Sequence, residues 1–440
     1  MTAIAWCLTA GFGALVTLGV PFAIAIALVI TTALIVADIE PAFLAQSIIS
    51  GSQQFSLLAI PLFMLAGELM SAGGLSRRLV DFASTLVQHL RGGLAMVTVL
   101  AALVFSAISG SAPATTAAIG AIMIPAMVQA GYDKGFAASI AVSAGVLGPL
   151  IPPSIAFVIW GIVAEQSIGR LFLSGIVPGL LIAAGLLVIC WVHAKRADVP
   201  RLPRASAAQM ARAFADGRWA LASPLVVLGG IYGGIFTPTE AAAVSCLYAI
   251  IIGLFVERKL TLRALPGIFV RAMRTSAIVC AIIAVSAGFG ILVAQEQIAI
   301  RFATWMAQTI GEKWAALATL NIAFFLLAAV MDEIAIMVIL GPMLIAIANR
   351  FGVDPIHFGA MIVTNVAIGM AAPPIGYCLF IGMAISGLFP GTDQPRDLAA
   401  NPVDAGGAVP DHLCAELCPD VPARRALSHN RGACHPRHPP

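Results

Sequence analysis

Apolar residues run in long blocks along this chain, at 3–37, 54–73, 93–109, 112–130, 134–165, 169–193, 219–235, 238–256, 265–293, 314–331, 333–349 and 356–388, with polar residues gathered in the joins. Most blocks are long enough to cross a hydrocarbon core of about 30 Å as a helix. Strand-type alternation is absent, which argues against a β-barrel. Two places are too compressed for ordinary crossings. Residues 93–130 are split by Ser109-Gly110-Ser111-Ala112-Pro113, and 314–350 by Met331-Asp332-Glu333. Each reads as a re-entrant helical hairpin with a polar tip that faces protein or water, because unpaired backbone groups are not tolerated against lipid. The pattern predicts an all-α polytopic membrane protein.

The block after each hairpin contains a double proline: GPLIPPSIAFVIWG at 148–161 and GMAAPPIGYCLFIG at 369–382. Proline ends or kinks a helix, so 134–165 and 356–388 are expected to be broken helices. The two motifs are 221 residues apart. GYD at 131–133 and GVD at 352–354 keep the same offset, and so do Ser111 and Asp332. Each hairpin tip therefore precedes its break by 41 residues. Basic residues cluster at Arg77, Arg78 and Arg91, at Lys134, through 195–218, and from Arg258 to Arg274. By the positive-inside rule these are cytoplasmic. Counting crossings between them gives the two units opposite orientations, the inverted-repeat plan of secondary transporters. The expected organisation is a first repeat over 1–193, a cytoplasmic loop over 194–218, a second repeat over 219–388 and an atypical tail over 389–440.

Composition narrows the function class. The chain is 60% hydrophobic and 10% charged, with a net charge of +3. That charge is too small to argue for nucleic acid. No Lys or Arg precedes Arg77, so there is no basic leader region. No His-Glu-x-x-His motif or paired acid motif points to an intramembrane enzyme. His89, His193 and His357 fall at segment ends or loops.

The breaks carry the candidate chemistry. A proline frees a carbonyl oxygen, which costs several kcal/mol in a membrane unless it is satisfied. Freed carbonyls with hydroxyls and carboxylates suit a hard cation such as Na+. Site one would join Ser109, Gly110 and Ser111 to the break at 148–152, including Gly148, with Ser143 nearby. Site two would join Asp332 to the break at 369–373, including Gly369, with Thr364 nearby. The competing reading is that the prolines are simple kinks and the hydroxyls bond their own helices. Intramembrane acids default to functional candidates. Among Glu165, Glu240, Asp332 and Glu333, Asp332 is the strongest because it sits at a tip. A helix starting after Pro113 would offer its positive end to an anion. A carboxylate substrate could sit between the two breaks, against Thr115, Thr116, Pro152 and Pro373, or the threonines could only pack. Thr237-Pro238-Thr239-Glu240 reads as a helix cap.

SGSAPATTAAIGAIMIPAM (109–127), the stretch over 145–179 and GIFTPTEAAAV (234–244) resemble the large membrane subunit of tripartite ATP-independent periplasmic (TRAP) transporters over about residues 10–388. The resemblance implies an elevator-type transporter in the bacterial inner membrane, coupled to Na+. It implies a small four-helix membrane subunit and a periplasmic binding protein as partners. The implied substrate is a carboxylate such as a C4-dicarboxylate or sialic acid. The family's sodium sites lie at the tips and breaks, matching Ser109, Gly110, Ser111 and 148–152, then Asp332 and 369–373. The alternative is a stand-alone Na+/anion symporter that needs no binding protein. The family usually continues into a last apolar helix, whereas composition here shifts abruptly near 389. A reading-frame shift near codon 389 is the expected cause. Resequencing decides it, because the idea fails if neither alternative frame encodes an apolar helix. A zinc site at Cys414, Cys418, Cys434 and His435 is the competing reading of the tail.

Overall fold

The computed structural model describes residues 3–40, 42–196, 202–329, 331–373 and 376–388. The tail over 389–440, with both expectations for it, lies outside the described residues, as does Pro374. All regular structure among the described residues is helical. The helices are α1 (Ala3–Trp6), α2 (Phe12–Thr17), α3 (Phe22–Val36), α4 (Ala42–Ser52), α5 (Ala59–Ala72), α6 (Leu75–Val87), α7 (Gly93–Ser109), α8 (Ala112–Gln129), α9 (Lys134–Gly145) and α10 (Ile155–Val163). They continue as α11 (Ile168–Arg196), α12 (Ala207–Tyr232), α13 (Pro238–Ile251), α14 (Leu265–Gln295), α15 (Ile298–Ile310), α16 (Lys313–Ala328), α17 (Glu333–Arg350), α18 (Pro355–Gly369) and α19 (Tyr377–Ser386). Among the described residues six helices are long and apolar enough to span a membrane, or seven if α15 and α16, bent by 119°, count as one.

The repeated landmarks turn out to be helix caps. Asp133 accepts the Phe136 N–H at 2.8 Å and starts α9. Its counterpart Asp354 accepts the Ile356 and His357 N–H groups, each at 3.0 Å, and starts α18. Gly131 and Gly352 hold the preceding turns at positive φ, 90° and 59°, which glycine adopts without a Cβ penalty. After the first break Ser154 starts α10, accepting from Phe157 N at 3.2 Å and donating to the Pro149 carbonyl.

Two elements differ from the sequence expectation. Residues 207–218, expected as loop, form the first turns of α12. A reciprocal cap starts that helix: Ser206 Oγ accepts from Gln209 N at 3.2 Å, and Gln209 Oε1 accepts from Ser206 N at 2.8 Å. α15 has no counterpart among the predicted blocks because it is amphipathic. It buries Ala299, Ala303 and Met306 and exposes Ile300 and Trp305. The two hairpins also differ. α7 and α8 pack along each other, whereas α16 packs chiefly on α18, and α17 on α15, α10 and α14.

Contacts between the halves are exchanged. α10 leaves the first break and packs on α17 and α18, and α19 leaves the second break and packs on α8 and α9. Trp160 of α10 is fully buried, with its ring 6.2 Å from that of Phe358 on α18. Glycines let these helices approach: a Cβ on Gly359 would strike the Trp160 ring, and one on Gly382 of α19 would strike Val142 of α9. Each broken helix thus carries one arm into the core of the other half.

Candidate functional site

Tip and break meet in both halves. In the first, α7 ends at Gly110 with φ +62°, and the Gly110 carbonyl accepts the Ile155 N–H at 3.2 Å. In the second, the Ala329 carbonyl accepts the Gly376 N–H at 3.1 Å. The two donors are 221 positions apart, the offset of the sequence landmarks. Close packing accompanies both bonds. A Cβ on Gly148 would run into the backbone of Ser111 and Ala112, and a Cβ on Gly369 into Ala328.

The first junction gathers Ser109, Gly110, Ser111, Gly148 and the buried Pro152. Ser109 Oγ lies 2.7 Å from Thr115 Oγ1. Ser111 begins α8, but its hydroxyl makes no capping bond. Thr115 and Thr116 are both fully buried, and neither lines the adjoining cavity. Among the described residues Thr116 Oγ1 has no hydrogen-bond partner, and a Cβ on Gly145 would collide with it.

At the second junction Asp332 accepts the Ile334 N–H at 3.1 Å and caps α17. Pro373 is exposed. Thr364 is not drawn to Asp332. Its hydroxyl donates to Ala360 O of its own helix at 2.7 Å, and it lines a separate cavity between α11, α16 and α18. That cavity holds an amide pair missed in the sequence: Asn365 Nδ2 donates to Asn321 Oδ1 at 2.6 Å and to Asn321 O at 2.7 Å.

A cavity of about 650 Å³ opens beside the first tip, a size suited to a small organic ligand. Ser109, Ser111, Pro113 and Ala114 form one wall, and Glu68, Ser71 and Thr275 from α5 and α14 form the opposite one. Tyr377 of α19 also reaches it. Glu68 lies 3.8 Å from Arg271. The signal for Glu68 was available, as a lone acid within an apolar block.

Thr237 and Glu240 form a reciprocal cap. Thr237 N donates to Glu240 Oε2 at 2.8 Å, and Glu240 N donates to Thr237 Oγ1 at 3.3 Å. Thr237→Ala is expected to cost about 1 kcal/mol of stability, the usual worth of a cap. Initial uptake per folded molecule should be unchanged, measured beside thermal unfolding.

The model of the DctM component of tripartite ATP-independent periplasmic transporters matches residues 9–414, reaching into the tail. The chain belongs to this family. It is a multi-pass membrane permease, one component of a three-part transporter, and not an enzyme. The permease is 41% identical over 345 residues to the C4-dicarboxylate TRAP transporter large permease protein DctM of Pseudomonas aeruginosa, covering 78% of this chain and 81% of that one. It is 39% identical over 393 residues to the protein of the same description from Rhodobacter capsulatus, with 85% and 89% covered. It is 41% identical over 377 residues to the isethionate TRAP transporter permease protein DctMQ of Oleidesulfovibrio alaskensis, covering 85% of this chain but 59% of that longer protein.

Proposed function

We propose that the permease carries a small organic anion, most simply a carboxylate, inward across the bacterial inner membrane, driven by Na+. Sodium binds at the two tip-and-break junctions and orders the substrate site between them. The observation that carries this reading is the pair of bonds, Ile155 N to Gly110 O and Gly376 N to Ala329 O, which tie tip to break in both halves through donors at equivalent positions. Each brings carbonyl-rich backbone against polar side chains, the donor set a hard cation prefers.

The substrate class follows from chemistry shared by the relatives. C4-dicarboxylate and isethionate are both small organic anions. Ser109, Ser111 and the N-terminus of α8 face the cavity, and hydroxyls with a positive helix end suit such an anion. The motion is of the elevator type, working on two inverted repeats (1–193 and 219–388). α7–α10 with α16–α19 form the moving unit, and the remaining helices form the scaffold. A small four-helix membrane subunit is the first partner. The compound name and greater length of the DctMQ relative support it. A periplasmic binding protein that delivers substrate is the second.

Reconstitution tests the assembly. Proteoliposomes holding the permease and the small subunit should take up labelled carboxylate only when the binding protein is added outside. Uptake of free substrate without the binding protein would favour the stand-alone symporter.

A further inference from the structure

One buried acid has no part in the sites above. Glu333 opens α17, is 5% exposed, and its Oε2 has no hydrogen-bond partner among the described residues. Asp332 beside it differs, because its carboxylate caps α17 and is compensated by the positive end of that helix. Glu333 lies in the first turn of the same helix but makes no capping bond, and among the described residues no Lys, Arg or His is in ion-pair range. A buried carboxylate without a partner is costly, and a bound cation removes that cost.

Its surroundings point the same way. Cys378 of α19 is fully buried, in one cluster with Ala112 beside the first tip and Met370 at the second break. Thr116 Oγ1 is itself buried without a well-formed hydrogen bond. The positions equivalent to Asp332 and Glu333 in the first half are Ser111 and Ala112, both uncharged. The two junctions share a backbone plan and differ in charge.

We propose that Glu333 is an anionic ligand of the cation at the second tip, which makes that junction the tighter of the two and the first to fill. The proposal rests on the reading of the junctions as Na+ sites. A charge-assisted contact at a buried cation is stronger than one from a neutral oxygen. With two carboxylates the second junction attracts a monovalent cation before substrate arrives.

The test reads binding rather than transport. The melting temperature of the purified permease with its small subunit is followed against NaCl, with choline chloride holding ionic strength. A ligand that binds only the folded state raises it. Glu333→Gln is expected to move the half-point of the Na+ stabilisation upward by at least roughly tenfold, about 1.4 kcal/mol of binding. In choline alone this variant should melt no lower than the parent, because an unpaired buried charge has gone. Should Glu333→Gln fail to accumulate, Glu333→Asp, which draws the carboxylate back by one methylene, carries the same test with the same expected direction. An unmoved Na+ half-point in Glu333→Gln, or in that substitute, with a shifted one in Asp332→Asn, overturns the proposal and leaves the junction reading intact. Unmoved half-points in both positions overturn the junction reading and the proposal together.

Discussion

Gly148→Ala is expected to abolish Na+-dependent uptake, by roughly a hundredfold or more. The added methyl group meets main-chain atoms of Ser111 and Ala112 rather than the end of a flexible side chain. Backbone cannot rotate away, so the tip and the break must separate. Overpacking of this kind costs typically about 1–3 kcal/mol, and about 2.7 kcal/mol taken from transition-state stabilisation is already a hundredfold in rate. Here the displaced atoms include the carbonyl of Ser111, a candidate ligand. Gly185→Ala is the control, since a Cβ on Gly185 in α11 meets nothing within 4 Å. It should transport like the parent at equal membrane abundance. Full Na+-dependent uptake by Gly148→Ala would mean that the working protein does not hold tip and break together.

Much of this arrangement is legible in the sequence because it depends on backbone punctuation. GYD and GVD become a left-handed glycine followed by a capping aspartate, a local device written in three residues. The proline pairs mark the gap between α9 and α10 and the gap between α18 and α19, because proline cannot continue a helix. The start of α12 was equally local, in Ser206 and Gln209, but the charged stretch around it reads as a loop when blocks are sought by hydrophobicity. What the sequence does not carry is the choice of partner helix. The blocks that form α8, α16 and α17 are apolar all round, so no stripe says which face is inside. That is why Thr115 and Thr116 turn into the core while their neighbours Pro113 and Ala114 line the cavity. The exchange of α10 and α19 between halves is likewise set by tertiary packing of glycines such as Gly359 and Gly382, which composition alone does not reveal.

Loss of the tip oxygens is the second large effect expected. Ser111→Ala removes a hydroxyl that makes no capping bond, so it should leave the start of α8 intact. Asp332→Asn removes a charge but keeps a side chain that caps a helix about as well. Neither substitution should unfold the protein, and any change in Na+ handling reports on ligation. Each is expected to raise the Na+ concentration for half-maximal uptake by roughly tenfold, the scale of losing about 1.4 kcal/mol of binding. The larger effect should fall on Asp332→Asn, where charge as well as an oxygen donor is lost.

The most direct measurement is initial uptake against external Na+ in proteoliposomes containing the permease, its small subunit and the binding protein, for the parent, Ser111→Ala and Asp332→Asn. Sodium bound at both junctions predicts a steep, Na+-dependent rise in the parent, displaced to higher Na+ in each variant. Identical Na+ dependence in all three would contradict it.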